Sequence, residues 1–70
     1  MSTYQELLHY LNAHGFIAST VIEEKEYAGL EVQCPAIQSQ PRLEQVRKVC
    51  GNDFDCWFDP NNEIISVKKK

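Results

Sequence analysis

The sequence predicts an α+β fold: a two-layer sandwich in which both helices pack on one face of an antiparallel four-stranded sheet, in the order αββαββ. Three observations predict it. A stripe of apolar residues at helical spacing follows a capping pattern near the N-terminus. Two pairs of β-branched or alternating runs are each joined by turn-forming residues. The chain has 70 residues, 43% of them hydrophobic, enough for one small core and no more. The whole chain, residues 1–70, is therefore expected to form a single small domain.

The first helix opens at Thr3, whose hydroxyl is placed to accept an early backbone N–H, with Glu6 completing a capping box. Tyr4, Leu7, Leu8 and Leu11 then recur on one face. Gly15 falls where a left-handed residue ends a helix, and Phe16 is placed to pack back on Leu11. These signals predict a helix over residues 4–14. The period then changes. Ser19-Thr20-Val21-Ile22 and the alternating Leu30-Glu31-Val32-Gln33-Cys34 read as a hairpin joined by a turn at Glu26-Tyr27-Ala28-Gly29. Leu30, Val32 and Cys34 are expected to face inward, and Glu31 and Gln33 outward. Pro35 ends the second strand.

Ser39-Gln40-Pro41 opens the second helix, with Pro41 in its first turn. Leu43, Val46, Val49 and Cys50 form its apolar stripe, and Gly51 ends it. Phe54 to Phe58 and Ile64 to Val67 make the second hairpin around Asp59-Pro60-Asn61-Asn62, where either Asn tolerates positive φ. Leu7 and Leu43, and Gly15 and Gly51, are separated by the same interval, as a doubled αββ unit would require. The order of the first three elements, with Ala28-Gly29-Leu30-Glu31-Val32 as a glycine feeding a strand, resembles small αββαβ modules such as the BON domain. That resemblance is one of layout, and layout carries no function.

Composition narrows the function classes. Seven basic residues against ten acidic ones leave a net charge of −3, whereas phosphate-binding domains concentrate Lys and Arg. Apart from the tail Lys68-Lys69-Lys70, the basic residues are dispersed, and direct nucleic-acid binding is disfavoured. No apolar run approaches the length of a membrane span. The N-terminal Met1-Ser2-Thr3-Tyr4-Gln5-Glu6 lacks the basic region of a signal peptide. A cytoplasmic, membrane-independent protein is the expectation.

No residue pattern points to catalysis or to a cofactor. Cys34, Cys50 and Cys56 are an odd set without C-x-x-C spacing. Five residues separate Cys50 from Cys56, more than zinc knuckles use between paired thiolates, and His9 and His14 lie on a different element. No metal is expected, and the cysteines read as small buried hydrophobes. A thiol- or metal-dependent function built on Cys34, Cys50 and Cys56 is the alternative. Glu23, Glu24, Glu26 and Glu31, and Asp53, Asp55 and Asp59, read as solvated strand faces and edge protection.

Trp57 is the most informative residue. Phe54, Cys56 and Phe58 alternate onto the core face, which leaves Asp55 and Trp57 on the other. With a turn at residues 59–62, Phe58 would pair with Glu63 and Trp57 would face Ile64. An outward Trp–Ile pair is the anatomy of a protein-binding hot spot. The expected contact face is therefore the open sheet surface, anchored by Trp57 and Ile64 and rimmed by Glu31, Gln33 and Asp55. The expected function is that of a small acidic, non-enzymatic protein–protein interaction module, a regulator or inhibitor of a larger assembly. Its partner would be a protein with a basic surface, and its carboxylates could stand in for phosphates on that partner. A homodimer through an edge strand or through Trp57 is compatible with the same face.

Overall fold

The computed structural model describes residues 3–70. Met1 and Ser2, part of the stretch read above as lacking a targeting signal, lie outside the described residues. Two helices, α1 (Tyr4–Ala13) and α2 (Ser39–Cys50), accompany four strands: β1 (Ala18–Glu23), β2 (Glu26–Gln33), β3 (Phe54–Asp59) and β4 (Ile64–Lys69). The strands form one antiparallel sheet in the order β1-β2-β4-β3. Exchanging the first and second halves of the chain maps this order onto itself reversed. The topology therefore has the two-fold logic of a doubled αββ unit, and the halves join where β2 meets β4.

α1 begins and ends as its sequence dictates. The backbone N–H of Glu6 donates to Thr3 Oγ1 at 3.2 Å. At the other end Phe16 N–H donates to the Leu11 carbonyl at 3.0 Å and Gly15 N–H to that of Asn12 at 3.2 Å, with Gly15 at φ +88°. This is a Schellman stop. α2 is entered through a short 3-10 turn, Ala36–Gln38, and left through another, Gly51–Asp53. Gly51 has the expected positive φ of 66°, but its ψ of −154° is not the left-handed helical value. That combination is almost closed to residues with a Cβ.

Both turns differ from expectation. The β1–β2 turn is the two-residue Glu24-Lys25, at φ 51° and 67°, the backbone of a type I′ hairpin turn built without glycine. β2 therefore starts at Glu26, and Ala28 is bulged where the register shifts between Val21↔Gly29 and Ile22↔Tyr27. Gly29 lies inside the strand for a different reason. A Cβ there would meet the Val67 carbonyl oxygen at 2.7 Å, so its hydrogen side chain permits the approach of β4. In the β3–β4 loop the positive φ of 51° falls on Glu63 and not on an asparagine. Asp59 organises that loop, accepting from Asn62 Nδ2 at 2.8 Å and Asn61 N–H at 3.0 Å. The Asn62 side-chain bond, with the backbone N–H groups of Asn61 and Asn62, holds the Asp59 carboxyl below its ordinary pKa against an opposing desolvation.

One cluster of buried side chains joins the two layers: Leu7 and Leu11 of α1, Val46 and Cys50 of α2, and Leu30, Val32, Cys34, Phe54, Cys56, Ile65 and Val67 from the sheet side. Both helices contribute to it, so both cover the same sheet face. Tyr4 pins α1 to the far strands. Its ring lies 5.5 Å from that of Phe54, and its hydroxyl accepts the Lys69 N–H at 2.6 Å.

These glycine geometries order the effects of substitution. Nothing lies within 4 Å of a Cβ built at Gly15, so Gly15→Ala should lower stability by about 1 kcal/mol through backbone strain alone. Gly51→Ala should cost roughly 1–3 kcal/mol because of its rarer φ/ψ. Gly29→Ala should be the most damaging, since the added methyl pushes on backbone that cannot swing away. Urea melts of the three variants check the order; Gly29→Ala matching Gly15→Ala would contradict the close approach.

Candidate contact face

Strand pairing composes the uncovered face of the sheet in rows. Ser19↔Glu31, Glu31↔Ser66 and Trp57↔Ser66 place Ser19, Glu31, Ser66 and Trp57 in one row across all four strands. Gln33↔Ile64 and Asp59↔Ile64 make the next row. On the opposite side Val21↔Gly29 and Asp55↔Lys68 form a third, with the Lys68 side chain 3.4 Å from where a Gly29 Cβ would stand.

All five residues expected at a contact site, Trp57, Ile64, Asp55, Glu31 and Gln33, therefore share this face. Their mutual placement differs from expectation in one respect. The β3–β4 loop holds four residues between Asp59 and Ile64, so Phe58 pairs with Ile65, and Trp57 stands opposite Ser66. Ile64 is consequently a diagonal neighbour of Trp57, within reach of an indole but not directly across from it. Trp57 is 42% exposed and Ile64 is half-buried.

The centre of the face is a depression of about 240 Å³ that Trp57, Ile64 and Glu31 line together with Val21, Gly29, Ser66 and Lys68. Small residues make it: Gly29 and Ser66 leave space between larger flanking side chains. Gln33 and Asp55 do not line it and stand at the rim. Gln33 borders a separate notch with Cys34, Pro35 and Glu63. Asp55 lies 3.9 Å from Lys70 Nζ, with both side chains more than half exposed, and it faces Lys68 across the strands. An exposed pair of this kind contributes little to stability, but it offsets negative charge at that corner. The acidic character of the face rests instead on Glu31 and Asp59.

Val21, Gly29, Ser66 and Lys68 were not among the expected site residues. Alternation along β1, β2 and β4 puts each of them on the open face. Ser66 and Lys68 come beside Trp57 through the register of the β3–β4 hairpin, whereas Gly29 and Val21 come there through the β2–β4 pairing, which joins residues more than thirty positions apart and leaves no local signal. Val21 carries a β-branched residue outward, and that is the one feature a strand-by-strand reading could have used.

The remaining titratable groups do not converge on this face. His14 stacks on Tyr10 with ring centroids 4.2 Å apart, and His9 is exposed on α1. Cys34, Cys50 and Cys56 are free and buried. Burial pushes the Cys34 thiol up, outweighing the attraction of Arg42. Among the described residues no group of three or more His, Cys, Asp or Glu is placed to hold a metal ion, and no helix is long and apolar enough to cross a membrane. No protein-family model matches the chain, and comparison with curated proteins and with solved structures gave no match.

Truncation separates the two aromatic environments of β3. Trp57→Ala should cost the isolated chain about 1–2 kcal/mol, because much of the indole is already in water. Phe54, 4% exposed in the core, should cost roughly 3–5 kcal/mol when replaced by Ala. Phe58, which alternation also turns toward the core, packs on the cluster but is only partly buried, and Phe58→Ala should fall between them. Chemical denaturation of the three variants checks the order; a Trp57→Ala loss equal to that of Phe54→Ala would contradict the assignment of faces.

Proposed function

We propose that this chain is a non-enzymatic protein–protein interaction module, acting as a regulator or inhibitor of a larger assembly, and that it binds through the open face of its sheet. One observation carries the reading: a half-exposed Trp57 beside a shallow depression, on a sheet face that the chain's own helices leave uncovered. A half-exposed tryptophan within a strand leaves a large apolar area in water unless something covers it, and Trp is among the residues most enriched at binding hot spots. The surroundings fit that use. Ile64 and Val21 supply further apolar area, while Glu31, Gln33, Ser66 and Lys68 form a polar surround.

The partner is a protein presenting an apolar knob that enters the depression, with basic groups placed to meet Glu31 and Asp59. Two features support that chemistry: the net charge of −3 and, among the described residues, a single lysine, Lys68, lining the depression. Charge of this kind sets encounter rate and orientation more than affinity. The depression is open and small against a typical substrate pocket, which favours a docking role over catalysis.

The test uses the whole chain immobilised beside its Trp57→Ala variant, with partner retention from native extract measured for both and the affinity then measured on the purified partner. Trp57→Ala should weaken binding by about 2 kcal/mol or more, on the order of thirtyfold. Glu31→Lys should slow association with a smaller effect on dissociation. Equal affinity of the wild type and Trp57→Ala chains for the retained partner would overturn the assignment of the face.

A further inference from the structure

The sheet ends in two edge strands, β1 and β3, and the two are finished differently. At the start of β1 the Gln33 N–H donates to the Ile17 carbonyl at 2.9 Å, which fixes the phase of the ladder. Ser19 and Val21 turn their backbone groups toward β2, and Ala18, Thr20 and Ile22 turn theirs outward. The extra residue of the bulge lies in β2, so this alternation runs unbroken along β1. Ala18 shows the outward phase directly. Its N–H donates to Asn12 Oδ1 at 3.1 Å and its carbonyl accepts from Asn12 Nδ2 at 3.4 Å, so α1 closes the edge at that residue. The outward N–H and C=O groups of Thr20 and Ile22 have no hydrogen-bond partner among the described residues. Neither lysine nor proline guards them, and the one charge of the strand, Glu23, is its last residue. The Ile22 side chain beside them is 60% exposed.

We propose that β1 pairs antiparallel with β1 of a second copy of this chain, about a two-fold axis at Val21, joining two sheets into one. The strand is complementary to itself in this register. Thr20 meets Ile22 of the second copy and Ile22 meets its Thr20. Each such pair exchanges both backbone hydrogen bonds, so every open group of the edge is used. Val21 stands opposite Val21 on the open face as a β-branched pair. Glu23 meets Ser19, so no like charges are opposed. The pairing also ends where the chain closes its own edge: Ala18, already held by Asn12, falls opposite Glu24 in the turn of the second copy. This match of length, charge and closure is what selects a second copy over an unrelated strand.

The other edge fails the same comparison. Lys70 N–H donates to the Asp53 carbonyl at 3.0 Å, so Phe54, Cys56 and Phe58 turn their backbone groups outward along β3. Arg47 Nη2 already donates to the Cys56 carbonyl at 3.2 Å. Pairing β3 with itself through Cys56 and Phe58 would set Asp55 against Asp59 of the second copy, a destabilising like-charge pair. A dimer through β1 keeps both open faces on the same side of one continuous sheet, and it stands independently of what that face binds.

Sedimentation velocity of the full chain should pass from one-chain to two-chain mass between micromolar concentration and about 1 mM, where weak specific association shows. Over the same range amide exchange at Thr20 and Ile22 should slow, while that of Phe58 on the β3 edge should not. Val21→Cys puts a sulfur at the axis, where opposed Cα atoms would lie about 4.5 Å apart, close enough for a disulfide. Mild oxidation should link this variant into a covalent dimer. Ser19→Cys, which would face Glu23 of the second copy, and the wild type, whose cysteines are buried, should remain single chains. A one-chain mass at every concentration, as expected if a strand of another protein fills this edge, would overturn the proposal. So would slowed exchange at Phe58, or crosslinking of Ser19→Cys without Val21→Cys. Sedimentation and exchange need no variant, so they decide the matter even where a cysteine variant fails to fold.

Discussion

The pairing of β2 with β4 is the constraint on which the rest of the structure depends. Each half of the chain is a helix and a hairpin, and a lone two-stranded hairpin is marginal in water. Joining the halves makes a four-stranded sheet and brings Leu30, Val32, Ile65 and Val67 together at its centre, all at 1% exposure or less. Gly29 makes the junction possible by letting the Val67 carbonyl approach to a distance that a methyl group would block. The helices then cover a surface that already exists, with Leu11 and Val46, both fully buried, reaching it from opposite halves.

Once this register is set, the two-residue period of the strands distributes everything else. Even-numbered residues of β3 turn toward the helices, which places Phe54 and Cys56 in the core. Odd-numbered residues turn away, which leaves Trp57 in water over Ser66. The candidate contact face and the buried Cys56 thiol are thus two outcomes of one alternation, read from opposite sides of the same strand. A slip of one residue would exchange them, burying the indole and exposing the thiol.

Much of this was legible because the signals are local. Thr3, Gly15 and Phe16 mark the ends of α1, and Leu30, Val32, Cys34, Phe54 and Cys56 alternate clearly enough to assign a face. Turn positions were less legible. Glu26-Tyr27-Ala28-Gly29 contains the glycine that a turn reading seeks, yet the chain turns at Glu24-Lys25 and reserves Gly29 for contact with β4. Positive φ at Glu24, Lys25 and Glu63 is imposed by strand pairing on either side and has no compositional mark. The depression beside Trp57 arises from packing between elements, and neither spacing nor motif announces it.

Trp57 is the one tryptophan in the chain, so its fluorescence reports directly on the claim that the sheet register turns this residue away from the core. Acrylamide quenching of the folded chain is compared with quenching in denaturant, the folded state being checked by circular dichroism in the same sample. The half-exposed indole on the open face predicts red-shifted emission and clear quenching of the folded protein, short of that of the unfolded chain. Blue-shifted emission shielded from acrylamide would place Trp57 in the core and contradict the register on which the account stands.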